Sequence, residues 1–422
     1  MDKHASILSA ENKKPGLFYG YIVVALGFIL LLIGYGSIGS FGIFFKPILL
    51  EFSWTRAITS GALSLNFAVQ GIMVIFSGRL TDRFGPRMVV TTAGLLLALS
   101  FFLMSQISVL WQLYLFFGIL GGISQGSILV SVMSTMARWF DRRRGLMVGI
   151  VSAGIAGGQL VVAPLANQLI INYGWRTSYL ILGIITLGVL VVVAQFFKRD
   201  PSQIGQLPDG AGRDIQGNSG LESTGLSLRE AIHTRQMRML FIAYFCFGFF
   251  AIAVLSHIVP HATDLGISAV SAAAIVSTIG GLGIVGRIGM GSAADRIGTK
   301  RVLTIGFILT TAMLFWLPFV KEQGMFYVLA GVLGFAWGGS IAVQSPLLAE
   351  SFGMKAHGAI LGTIMSGGLL GSAVGPLLTG YMFDVNGNYQ SAFMVLAILS
   401  LISLILTILL KPYESAGSMK TA

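Results

Sequence analysis

Arg287 lies inside a long apolar run, eight residues before Asp295. On a helix rising about 1.5 Å per residue, that is about 12 Å from the helix end, near the middle of a hydrocarbon core about 30 Å thick. A bare guanidinium at that depth costs at least about 2.5–3.5 kcal/mol. None of the 16 carboxylates falls within an apolar run; Asp264, Glu350 and Asp384 sit at run ends. The natural counter-charge is therefore an anion brought from outside. A guanidinium holds a carboxylate through a two-point fork that an ammonium cannot match. The competing reading is an arginine that snorkels to the interface or caps helix carbonyls.

The other groups capable of chemistry are few. His257 is the candidate within an apolar run for carrying a proton, because imidazole titrates near neutrality. His261 lies one turn further, towards the rim. A neutral, hydrogen-bonded histidine in a helix bundle explains His257 equally well. A single cysteine, Cys246, leaves no disulfide framework, CxxC pair or cysteine-based metal site. The five histidines form no HExxH run. No nucleophile–base pair appears, so neither enzyme activity nor a cofactor is expected.

These residues must be positioned by membrane helices. The 422 residues are 55% hydrophobic and only 10% charged, with 55 glycines, and the mean hydropathy is +0.84. A soluble domain carries about 25% charged residues. Runs of about 20 apolar residues give six spans at 18–45, 57–80, 88–107, 110–137, 145–170 and 178–197. Six more follow at 239–263, 269–293, 302–320, 324–349, 357–383 and 390–410. The expected fold is an all-α membrane protein with two pseudo-symmetric six-helix bundles, 18–197 and 239–410. Segment 198–238, rich in Gly, Ser and charge, reads as a solvated linker with a short amphipathic helix at Leu226–Arg235. The polar tails 1–17 and 411–422 flank the bundles, and the first apolar run is too long for a signal peptide.

The net charge of +11 is a topology signal. Of 27 lysines and arginines, 22 fall in one alternating set of loops and tails, and four (Lys46, Arg56, Arg176, Lys321) in the other. Arg287 is the remaining one. Both termini and the linker are then expected on the cytoplasmic side of the cell membrane. Charge spread over many loops makes no nucleic-acid patch.

The halves repeat. Gly78-Arg-Leu-Thr-Asp82-Arg83-Phe-Gly85-Pro-Arg87 matches Gly291-Ser-Ala-Ala-Asp295-Arg296-Ile-Gly298-Thr-Lys300 at an offset of 213 residues. Trp175–Tyr179 echoes Tyr389–Phe393, and Phe140, Gly145 and Gly149 echo Phe352, Gly358 and Gly362. Three echoes in order indicate a duplicated six-helix unit. Such repeats place a substrate site near the midplane, between halves that rock against each other.

The GxxxDRxGx[RK] loop, present twice, resembles the signature loop of the major facilitator superfamily. That resemblance implies that Asp82 and Asp295 interact with helix ends and basic residues (Arg83, Arg296, Arg138) to hold the cytoplasmic side closed. Within the superfamily, Ser40–Arg56 (SFGIFFKPILLEFSWTR) and Ala137–Gly154 (ARWFDRRRGLMVGIVSAG) resemble the monocarboxylate porter family, with the bacterial oxalate/formate exchangers as close relatives. In this family the substrate-binding arginine is on helix 8, where Arg287 lies. The oxalate exchangers pair it with a helix-11 lysine, which this chain lacks, and one charge suits a monocarboxylate such as lactate or pyruvate. The porters' proton-linked lysine and aspartate align with Gly39 and Gly283, so their manner of proton coupling is not carried over. Coupling to a proton is still favoured energetically, since moving one anion inward against 100 mV costs about 2.3 kcal/mol.

Superfamily cavities are lined from helices 1, 4, 7 and 10. The candidates here are Tyr35, Ser37, Ser124, Gln125, Tyr244, Phe335, Trp337 and Gln344, with Ser366 on helix 11. Each also reads as an interhelical hydrogen bond or packing residue. Glycines at spacings of three and four on helices 4, 5 and 11 allow close backbone contact. The expected function is secondary transport of a small monocarboxylate by alternating access, with proton symport. The alternatives are an oxalate/formate-type exchanger, a proton-driven drug exporter and an organic-acid sensor. An exporter would need an embedded carboxylate, and a sensor would need an output domain. The expected partners are the substrate, a co-transported proton and the bilayer; the oligomeric state stays open, and a monomer is compatible.

Overall fold

The computed structural model describes residues 18–54, 56–209 and 225–410, apart from the side chains of ten residues within the helices. Ser37, Gly39, Lys46 and Arg56 are among those ten, so the sequence readings at these positions, and on both tails, lie outside the described residues. Twelve long helices run through the described chain. The first half holds α1 (Gly20–Phe52), α2 (Arg56–Phe84), α3 (Pro86–Met104), α4 (Leu110–Trp139), α5 (144–173) and α6 (175–196). The second half holds α7 (Arg235–Asp264), α8 (Ala269–Ile297), α9 (Thr299–Trp316), α10 (Gln323–Phe352), α11 (His357–Asn386) and α12 (Gln390–Ile408). Several extend past the apolar runs that announced them, α1 by a full seven residues at its C-terminal end.

The repeat is geometric as well as textual. Gly85 and Gly298, at matching places in the two signature loops, adopt φ of +85° and +93°, a conformation open to glycine because it lacks a Cβ. Each ends one helix and starts the next within one residue. α5 and α6 run end to end and are broken at Gly174, where φ is +76°. Helices 5 and 11 lie on helices 1 and 7 by the same device. A Cβ on Gly158 would strike the Leu32 carbonyl, and 213 residues on, a Cβ on Gly371 would strike the Phe245 carbonyl.

α4 contains a stretch of wide π-type turns over Tyr114–Gly121. Wide turns leave carbonyls poorly satisfied within the helix, and side chains of neighbouring helices take two of them. Asn66 Nδ2 donates to the Phe117 carbonyl and Ser100 Oγ to the Phe116 carbonyl, both at 2.8 Å. Further along, Ser77 pairs with Ser127 and Thr81 with Ser131, each at 2.6 Å. Polar residues in these apolar helices therefore fix the register of α2 on α4.

Two seams join the halves, α2 against α11 and α5 against α8. Glycines from the repeated motifs form both. A Cβ on Gly78 would overlap Gly358 and one on Gly362 would overlap the Val74 carbonyl. In the other seam, a Cβ on Gly145 would overlap the Gly291 carbonyl and one on Gly149 the Arg287 carbonyl.

The described residues of the linker are mostly exposed or half-buried, as a solvated segment should be, but its ends are tied down. Its described flanks are docked, one on each half. The Asp209 carbonyl accepts from the N–H groups of Asp141 and Arg142 at 3.3 and 3.0 Å, and Leu226 N–H donates to the Phe352 carbonyl at 2.9 Å. Phe140 and Phe352, at equivalent places in the repeat, thus each receive one end of the linker. The loops before α5 and α11 carry backbone groups that need partners, and the linker flanks supply them. The short helix is present as Leu228–Ile232, capped by Ser227 and Glu230.

Replacing Gly149 or Gly362 with valine is expected to force the seams apart while leaving each six-helix half folded. The check is alkylation of a cysteine placed at Leu146, in a Cys246→Ser background. Labelling should rise at least several-fold with either valine, and unchanged labelling would show that the seams tolerate the added bulk.

Candidate functional site

Arg287 is on α8 and only 8% exposed. Its backbone is clamped from two sides. The Arg287 carbonyl packs on Gly149 of α5, and a Cβ on Gly338 of α10 would meet the Arg287 nitrogen at 3.1 Å. The residue is thus fixed at the junction of both halves by glycines that allow backbone to meet backbone. Its side chain makes no hydrogen bond or ion pair among the described residues, and Nε is buried with no partner. A buried, unpaired polar group is costly unless something completes it.

A second donor in the same condition stands nearby in the fold. Trp337, next to Gly338 on α10, is 5% exposed, and its indole Nε1 is buried without an acceptor. Its ring lies 6.3 Å from that of Phe250 on α7. Two N–H donors without acceptors, on touching stretches of α8 and α10, suit a ligand made of acceptors. Gln344 follows the irregular residue Val343 in α10; it is buried, and its side chain makes no hydrogen bond among the described residues. Phe335 is half-buried and packs over Gly286 and Gly289 of α8.

The other candidates are occupied. Tyr35 donates its hydroxyl to Gln70 Oε1 at 2.8 Å, and Gln70 Nε2 donates to Asn66 Oδ1 at 2.6 Å and Gln125 Oε1 at 3.3 Å. Tyr35 and Gln125 thus belong to one buried polar cluster of the first half. Asn66 and Gln70 were not singled out in the sequence. Two amides one turn apart in an apolar span were the signal available. Ser124 donates to the Leu120 carbonyl and Ser366 to the Thr363 carbonyl, each within its own helix. Tyr244 donates to the Ser340 carbonyl at 3.1 Å. His257 lies between α7, α11 and the start of α12, with Nε2 3.0 Å from the Pro376 carbonyl and Nδ1 3.3 Å from the Tyr389 hydroxyl. The structure does not bring it to Arg287.

The two signature aspartates meet helix N-termini across the seams. Gly358 and Ala359 of α11 donate their N–H groups to Asp82 at 3.3 and 3.0 Å, and Arg138 adds an ion pair at 3.1 Å. Gly145 and Leu146 of α5 donate to Asp295 at 2.6 and 2.9 Å. Each carboxylate thus satisfies orphan N–H groups at the positive end of a helix from the other half. Arg138 also reaches Asp200 of the linker at 3.6 Å. Arg83 and Arg296 stay outside these contacts. The first lies over the Phe84 ring at 5.1 Å and the second is exposed.

Asp82→Asn and Asp295→Asn are expected to weaken closure of this face. A hydrogen bond to a charged group contributes about 1.5–3 kcal/mol, so each change should shift the closed–open balance about tenfold or more. The check is the distance between spin labels on the two halves. An unchanged distribution in both variants would remove the aspartates from the gate.

Comparison with known proteins agrees with this architecture. The sequence pattern of the Major Facilitator Superfamily matches residues 25–292 and 288–421. The chain is 29% identical over 390 residues to monocarboxylate transporter 13 of Bos taurus, covering 92% of this chain and 88% of that one. It is 25% identical over 399 residues to the oxalate:formate antiporter of Oxalobacter formigenes, covering 93% and 91%. In fold it is similar to the transporter FucP solved in the outward conformation, with a TM-score of 0.73 at 14% identity, covering 94% of this chain and 99% of that one. The chain is a multi-pass membrane protein that belongs to the major facilitator superfamily, a transporter related to the monocarboxylate and oxalate:formate transporters.

Proposed function

We propose that this protein moves small monocarboxylates across the cell's inner membrane by alternating access, with the substrate carboxylate bound by Arg287. The observation that carries this reading is the guanidinium itself, buried at the junction of the two halves without a hydrogen bond or ion pair among the described residues. A carboxylate supplies both the charge and the paired acceptors that it lacks. The indole N–H of Trp337 is a further donor, suited to a second oxygen of a lactate-like or pyruvate-like acid. Because the Arg287 carbonyl rests on Gly149 of α5, in the other half, small shifts between the halves alter the setting of Arg287 directly. Binding is thereby tied to rocking.

The face bearing Asp82 and Asp295 is read as cytoplasmic from its excess of lysine and arginine. Closed seams there then make this the outward-facing state, with Asp82, Asp295 and Arg138 as its latch. Proton symport is the coupling proposed, because a co-transported proton cancels the charge of the anion and its cost of about 2.3 kcal/mol per 100 mV. His257, with both ring nitrogens engaged at α11 and α12, suits a structural role better than that of the proton carrier. The absence of a lysine or arginine from α11 (His357–Asn386) favours a monoanion over a dianion such as oxalate.

Counterflow of labelled lactate, pyruvate, formate and oxalate in proteoliposomes tests this reading. Monocarboxylates are expected to exchange, with oxalate much slower. Arg287→Lys, which keeps the charge but loses the fork, should lower the rate at least about tenfold. Full activity of that variant, or uptake of a cation or sugar with no carboxylate, would overturn the assignment.

A further inference from the structure

His357 is the first residue of α11, on the face where the halves are latched, and it has zero exposure. Its Nε2 lies 3.0 Å from Ser345 Oγ of α10, and Ser345 Oγ donates to the Met133 carbonyl of α4 at 3.2 Å. A relay of two side chains therefore runs from the second half to a backbone carbonyl of the first. Its hydrogens follow from the partners. Met133 offers only an acceptor, so the Ser345 proton points to it and Ser345 Oγ accepts from His357 Nε2–H. The ring proton is then on Nε2, and Nδ1 is a bare lone pair. Nδ1 is buried and has no partner.

The surroundings bear on a second proton. From α4 and α5 the charges that reach the ring are the guanidiniums of Arg138 and Arg144. From α2 the nearby carboxylate is Asp82, whose oxygens are taken by Gly358 N–H, Ala359 N–H and Arg138. On α10, Glu350 is hydrogen-bonded to Thr299 Oγ1. The ring also sits at the positive end of the α11 dipole. An imidazolium here would be fully buried among positive charges, with no acceptor for its new N–H.

The geometry points to His357 as a proton-binding site that competes with closure of this face: the latched state holds the imidazole neutral, and a proton on Nδ1 holds the halves apart. When the seams open, the start of α11 meets water and the ring titrates as an ordinary imidazole, near about pH 6.5. The sign follows from linkage. The latched state binds one proton fewer, so its advantage is complete above about pH 6.5 and shrinks about tenfold per pH unit below it. Acid on this face therefore retards re-closure after substrate release, and a transporter that delivers protons with its acid limits itself. His357 is a positioning residue, remote in role from Arg287, so failure of carboxylate counterflow leaves this inference standing.

The test uses spin labels at Phe84→Cys and Ile297→Cys, exposed ends of α2 and α8, in full-length protein with Cys246→Ser, reconstituted in nanodiscs. Between about pH 8 and about pH 5.5, the ratio of separated to latched protein should be flat above the imidazole range and climb towards tenfold per unit below about pH 6.5. His357→Gln, and separately His357→Asn, should abolish that response while the protein still latches. A ratio of separated to latched protein that stays constant from about pH 8 to about pH 5.5 would overturn the inference. So would an unchanged pH response in either variant.

Discussion

The closed face depends on one arrangement used twice: a carboxylate at the end of one helix satisfying the free N–H groups that begin a helix in the other half. Asp82 does this for α11 and Asp295 for α5. A helix N-terminus needs acceptors and carries a positive partial charge, and an aspartate at a membrane edge needs donors. Each interaction solves both problems only while the halves touch. The proposed latch is therefore a difference between two states and not a fixed brace.

Glycine sets the distance at which that latch can work. At Gly78, Gly145, Gly149, Gly358 and Gly362 any Cβ would collide with backbone across the seam. Arg287 is part of the same packing, since its carbonyl rests on Gly149. Its counterpart in the first half, 213 residues earlier, is Val74, whose carbonyl rests on Gly362. The duplicated scaffold thus offers two equivalent seam positions, and a charge was installed at one. Specialisation of the repeat is confined there to a side chain.

Much of this was legible in the chain. The twelve spans followed from the length and polarity of apolar runs, and the seam glycines appeared as echoes at a fixed offset. Arg287 stood out because a charge in an apolar run is expensive. Asn66 and Gln70 were less visible, because amides inside a span betray nothing of which carbonyl they will meet. Asn66 gains its meaning from a stretch of π-type turns in α4, 51 residues away in sequence. His357 was hidden for a similar reason. At a span boundary it looks solvated, and only the approach of α4 and α10 buries it. The linker looked featureless because its partners are loop backbones with no signature in side-chain type.

By itself, then, the sequence determined what each segment must do with respect to the bilayer: which runs cross it, where the positive charge collects, and which buried cation lacks an internal anion. Those properties are local and follow from transfer of single residues between water and hydrocarbon. Only the tertiary structure decided which polar groups are satisfied and which are left over. Tyr35, His257 and Ser366 found partners, whereas Arg287 Nε, Trp337 Nε1 and His357 Nδ1 did not. Whether a donor or acceptor is paired depends on groups brought within about 3 Å by packing across helices. No span carries that information in its own residues.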